Sequence, residues 1–237
     1  MFEDLFSRGQ LELSRDALLS ELSQSSVWWD VAANKILTGV AVAIMLANLT
    51  NLLSLVTQMI ECFFRFKAAE GIEHSIGISR TRNISVACLV LPFSLIISRY
   101  DVYHPAYFDN LAPEFRTVIT IAAVTLFILL VLFASLVVNH RGLSNDLFYA
   151  ACHTPLNYFI IAFSLLVISM AVFMLFGISD IIAGKIISVI IISLWVFSLL
   201  RSFQILHSRC DFFTTILYLC ALEILPSAVI IASEMLF

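Results

Sequence analysis

Long apolar runs separated by short polar or aromatic stretches dominate the chain, and six of them read as helices. They lie near residues 36–60, 84–98, 115–138, 156–176, 181–200 and 212–236. Crossing about 30 Å of hydrocarbon takes about 20 apolar residues. All but the second run reach that length. The second, SVACLVLPFSLIIS, is short and carries Pro92, so it predicts either a crossing that borrows flanking residues or a re-entrant segment. Residues 142–155 are mixed in character and predict an interfacial helix closed by Pro155. Trp28 and Trp29 before the first run, and Tyr100, Tyr103 and Tyr107 after the second, suit the aromatic belt at a membrane surface. Residues 1–35 form an acidic tail, in which Leu11, Leu18 and Leu22 recur at the spacing of a short amphipathic helix. Its polar face carries Glu12, Asp16 and Glu21, which repel anionic lipid. The expected architecture is all-α, a polytopic transmembrane bundle over residues 36–237.

Composition sharpens this picture. Of 237 residues, 61% are hydrophobic and 13% charged, against about 45–50% and about 25% in soluble domains. A net charge of −4 without a basic stripe removes nucleic acid as a partner. Five cysteines without paired spacing predict reduced thiols rather than a disulfide framework. Lys and Arg set the expected orientation. Loops one, three and five hold Arg65, Lys67, Arg80, Arg82, Arg141, Arg201 and Arg209. The other side holds Arg8, Arg15, Lys35, Arg99, Arg116 and Lys185. This small excess puts the odd loops in the cytoplasm and both termini outside it.

Chemistry-bearing residues are few. Gly39, Ala43 and Ala47 recur at i, i+4 and predict a close helix-packing seam, with Asn48, Asn51 and Gln58 near one face. Ser198, Arg201, Gln204 and Ser208 form a polar stripe near the end of the fifth run, where Arg201 can reach the headgroups. Scattered His74, His140, Cys152, His153, His207 and Cys210 do not make a zinc framework. No H-E-x-x-H, G-x-S-x-G or Gly-rich phosphate loop is present. The spacing of His140 and Asp146 misses the H-x4-D pattern, and Tyr100-Asp101 lacks the second Gly-Asp motif of an intramembrane aspartyl protease. No cofactor or metal is expected, and an enzyme is the weaker reading.

Glu223 and Pro226 stand in the middle of the last run. An ionised acid at a helix centre costs around 2.5–3.5 kcal/mol to insert. Pro226 supplies no N–H and so frees the carbonyl of Leu222 one turn back. The expectation is a neutral acid that locks the last helix into the bundle, with Asn51 as its candidate acceptor, or an ionised acid beside Arg201. The intramembrane polar candidates are therefore Glu223, Pro226, Arg201, Asn51 and Gln204.

The stretch Tyr218-Leu219-Cys220-Ala221-Leu222-Glu223-Ile224-Leu225-Pro226 resembles the closing signature of a family of uncharacterised multi-pass membrane proteins of Bacteroidota, domain of unknown function family 4271. The basic loop FFRFKAAEG and the position of Arg201 are similar to that family's layout, whereas Arg201-Ser202 stands where Arg-Gly is expected. The resemblance implies a bacterial inner-membrane protein in which Glu223 and Pro226 belong to a shared pattern. It implies no activity. The first expectation for function is a non-catalytic assembly or scaffolding component of a membrane complex, working with a membrane-protein partner or by self-association. The alternative is a small transporter or permease that uses Glu223, its substrate unspecified. Transport folds show internal repeats or broken helices near the midplane. Only Pro92 and Pro226 hint at a break here, which weighs toward assembly.

Overall fold

The computed structural model describes residues 28–64, 71, 75–105, 108, 111–137, 145–208 and 210–236. Most of the acidic tail with its expected helix, most of the FFRFKAAEG loop, and His74, Tyr107 and His140 lie outside the described residues. Within them the protein is all-α: α1 (Ala32–Ala47), α2 (Leu49–Phe64), α3 (Ile76–Arg99), α4 (Pro113–Val137), α5 (Asn145–Phe176), α6 (Asp180–His207), α7 (Phe212–Leu219), a π-helical turn (Cys220–Ile224) and α8 (Leu225–Leu236). Five helical segments are long and apolar enough to cross a membrane, α7 to α8 counting as one of them. The bent pair α1–α2 passes the same test only when its two helices are taken together. This is a membrane-embedded bundle, and its outer surface says the same. Leu129 and Phe133 on α4, Ile168 and Leu175 on α5, and Val189 and Ile192 on α6 all point outward, as lipid-facing side chains do.

Hydrogen bonds at one end of the bundle fix the direction of the helices. Trp28 Nε1, just before α1, donates to Ser98 Oγ at the end of α3. Ser98 Oγ in turn meets Thr117 Oγ1 at the start of α4, 3.0 Å away. Arg99 pairs with Asp180 at the start of α6 at 3.5 Å, and Tyr103 OH lies 2.8 Å from Ser233 Oγ near the end of α8. Starts of α1, α4 and α6 thus share an end with the finishes of α3 and α8. The passes alternate, and Trp28 and Ser233 come to the same end. The expected aromatic belt takes a definite form there, with the Arg99 guanidinium over the rings of Trp28 (5.8 Å), Trp29 (5.3 Å) and Tyr100 (5.6 Å). Gly184 lets α6 approach Tyr100, since a Cβ at that position would sit 2.8 Å from the Tyr100 carbonyl oxygen.

The centre of the bundle is α3 against α5. Leu89 and Phe93 of α3 share the main core with Phe159, Ile160 and Phe163 of α5, the Phe93 and Phe159 rings lying 4.7 Å apart.

Three expectations need correction, and a fourth is decided between its two alternatives. The second run takes the first of its two readings, a crossing that borrows flanking residues. It is part of a 24-residue helix that starts at Ile76 and carries the buried Pro92 inside it. Its first turns are polar, so hydropathy leaves them out of the run; Arg80 and Asn83 there are exposed, while protein covers Arg82. Arg82 is fully buried and donates to Ser79 Oγ and Asn83 Oδ1. Pro155 does not close an interfacial helix, for α5 runs through it for 32 residues. The first run is not one straight helix, since α1 and α2 meet at 66°. Asn48 sits at the joint, buried, and its Oδ1 accepts from Asn51 Nδ2 at 3.1 Å and from Ser85 Oγ at 3.4 Å. Gly39, Ala43 and Ala47 face outward. The packed side of α1 is instead Asn34, Ala41 and Asn48, spaced seven residues apart.

Candidate functional site

The polar residues of α6 divide between two neighbouring faces. Ser198 and Ser202, one turn apart, point into the bundle and are buried. Arg201 and Gln204 lie on the outer flank, where Arg201 Nη1 donates to Gln204 Oε1 at 2.9 Å. The split follows from helix geometry, because consecutive residues are rotated by about 100°.

The last span presents Glu223 to the inner face of α6. It enters as α7, widens for one π-helical turn over Cys220–Ile224, and continues as α8. In that turn the amide of Leu225 bonds the carbonyl of Cys220, five residues back. Pro226 follows and is buried. Having no N–H, it donates to neither Ala221 nor Leu222. With Leu225 committed to Cys220, the amide of Ser227 can serve only one of those two carbonyls. At least one of them is therefore left without its usual ladder donor. Widened turns of this kind recur at functional sites.

Glu223 is 3% exposed. Ser202 Oγ donates to its Oε1, and Ser198 Oγ donates to Oε2 at 3.3 Å. No Lys, Arg or His of the described residues stands within ion-pair distance of it. The network continues one turn further along the span. Ser227 Oγ donates to the Glu223 carbonyl at 2.8 Å, and Trp195 Nε1 on α6 donates to Ser227 Oγ at 2.9 Å. A small apolar cluster seals one flank, with Leu222 packed against Phe148 and Cys152 of α5 and against Tyr218. Cys152 and Tyr218 are the titratable side chains next to that flank.

The sequence candidates thus separate into three places. Glu223 and Pro226 share the widened turn. Arg201 and Gln204 pair with each other on the outer flank. Asn51 is exposed on α2 and donates to Asn48. The partners of the acid are neither Asn51 nor Arg201 but Ser198 and Ser202. Ser202, Ser227 and Trp195 were not singled out from the sequence. The available signal was the i, i+4 repeat of Ser198 with Ser202 and of Glu223 with Ser227. Outside the spans, burial and the neighbouring Asp211 carboxylate push the Cys210 thiol above its ordinary value.

No family model, curated protein or solved structure matches the chain.

Proposed function

We propose that this membrane protein is a small transporter or permease whose working group is Glu223, loaded and unloaded with a proton as the bundle changes shape. One observation carries the reading: a carboxyl group at the middle of a span, on a widened helical turn, is bonded to two hydroxyls and faces no cation among the described residues. Ionisable residues within spans mark proton and substrate pathways. A hydroxyl suits both states of such a group, donating to a carboxylate and accepting from a carboxylic acid. In the sequence only Pro92 and Pro226 hint at a break. The last span is distorted near its middle by the π-helical turn Cys220–Ile224, and helices interrupted near the midplane build binding sites in transport folds. Placement in a bacterial inner membrane, with Trp28 and Ser233 outside the cytoplasm, belongs to the same proposal. The resemblance to the Bacteroidota family adds no activity to it.

The test is a pH jump on proteoliposomes adsorbed to a solid-supported membrane. Wild-type protein should displace charge as Glu223 changes protonation, and the carboxylic-acid C=O band in infrared difference spectra should move with it. Glu223→Gln should fold normally and show neither signal. Equal signals in wild type and Glu223→Gln would overturn the reading. So would silence from folded wild type, which would return the weight to an assembly component, identified by a stoichiometric partner in mild detergent.

A further inference from the structure

We propose that α2 is an in-plane helix: the first crossing ends at Asn48, and α2 then lies along the bilayer surface with its Thr50–Ser54–Thr57 side against headgroups and water.

Three sides of α2 have different chemistry. Leu52, Leu55 and Met59 are buried against the bundle. Leu49, Leu53 and Ile60 form an exposed apolar side, with Leu53 62% exposed. Thr50, Ser54 and Thr57, at i, i+4 and i+7, form the next side, also exposed. Ser54 and Thr57 return their hydroxyls to carbonyls of their own helix. A helix lying within hydrocarbon has no use for a polar side that reaches no other helix. A helix at the interface needs that division, with one side on the protein, one on acyl chains and one in water.

The level of the joint supports the placement. Asn48 Oδ1 accepts from Ser85 Oγ, so the end of α1 lies level with Ser85 on α3. From there toward its start, α3 turns polar, with Asn83 and Arg80 exposed. The apolar part of α3 begins at Ile84. At the opposite end, Trp28 is level with Ser98. Between these two hydrogen bonds α3 advances about 20 Å, and α1, with 16 residues, is about 24 Å long. Both fall short of about 30 Å of hydrocarbon, whereas α5 and α6, with 32 and 28 residues, exceed it. A short α1 beside the short apolar part of α3 brings the membrane surface down to Asn48, as bilayers do by thinning locally at short spans. The 66° bend then lays α2 onto that surface instead of carrying it outward.

Spin labels attached to single cysteines at residues 46, 50, 53, 54 and 57, in a cysteine-free background reconstituted in phosphatidylcholine–phosphatidylglycerol vesicles, read depth directly. The expected result is severalfold more collision with a water-soluble nickel chelate at 50, 54 and 57 than at 46, with no trend in depth from 50 to 57. Label 53 should favour oxygen. Depth changing steadily from 50 to 57, or oxygen dominating at all three polar positions, would overturn the proposal and make α2 the second half of an oblique crossing. All five positions are exposed, so the labels leave the fold intact. Neither result bears on Glu223.

Discussion

Replacing Glu223 and Ser202 singly and together isolates the contact on which the site rests. Hydrogen bonds between helices in a membrane are worth about 0.6 kcal/mol on average and up to about 1.7 kcal/mol. Glu223 makes two of them to α6, so Glu223→Leu should lower stability by roughly 1–3 kcal/mol. Glu223→Gln keeps an oxygen for one serine and offers N–H to the other, and should cost less than about 1 kcal/mol. Ser202→Ala leaves one carboxyl oxygen buried without its donor, which costs roughly 1–3 kcal/mol. Once Glu223 is Leu, the same Ser202→Ala change has little left to remove. The coupling in the cycle should therefore be roughly 1–3 kcal/mol, above the scatter of about 0.3–0.5 kcal/mol for independent sites. Trp195 is a local reporter, since its indole bonds Ser227 beside the acid. With Trp28 and Trp29 changed to Phe, its fluorescence during unfolding in mixed dodecyl maltoside and dodecyl sulfate micelles reads all four proteins. Coupling indistinguishable from zero, or Glu223→Gln as unstable as Glu223→Leu, would refute the hydroxyl-bonded acid.

Gly184→Ala should destabilise the bundle, because the new Cβ meets the Tyr100 carbonyl at 2.8 Å, whereas Gly39→Ala meets nothing within 4 Å and should be neutral in the same unfolding assay. Ala41→Leu should cost about 1–3 kcal/mol by overpacking the α1–α3 contact, while Ala43→Leu, on the outward face, should cost nothing measurable. Equal losses in that pair would mean that α1 is rotated from its described position. Cys210 should alkylate slowly at neutral pH, and its rate should climb at a higher pH than that of a free thiol. Asp211→Asn removes a negative charge that disfavours the thiolate, so it should move that profile to lower pH.

Length and hydropathy alone determined that this is an all-α membrane protein with six apolar runs, because the bilayer is a solvent of fixed thickness that reads only the extent of each run. The mid-span position of Glu223 and the donor missing at Pro226 were equally legible, being properties of single residues. Which way each helix faces was not. Lipid tails are as apolar as a protein core, so an apolar pattern carries no inside-or-outside signal within a span. Small residues at Gly39, Ala43 and Ala47 therefore suggested a seam that turned outward, and Arg201 drew attention that belonged to Ser202, one residue and about 100° away. The same blindness hid the start of α3. Hydropathy excludes Ser79, Arg82 and Asn83 from a span, but Arg82 is fully buried and hydrogen-bonded to Ser79 and Asn83. Pro92 suggested a break where packing on every side holds α3 whole, and Asn48 gave no hint of the 66° joint that its bond to Ser85 secures. These outcomes rest on contacts between residues far apart in the chain. The sequence reports how much of each helix is apolar, and only the packed bundle decides which side of it meets protein, lipid or water.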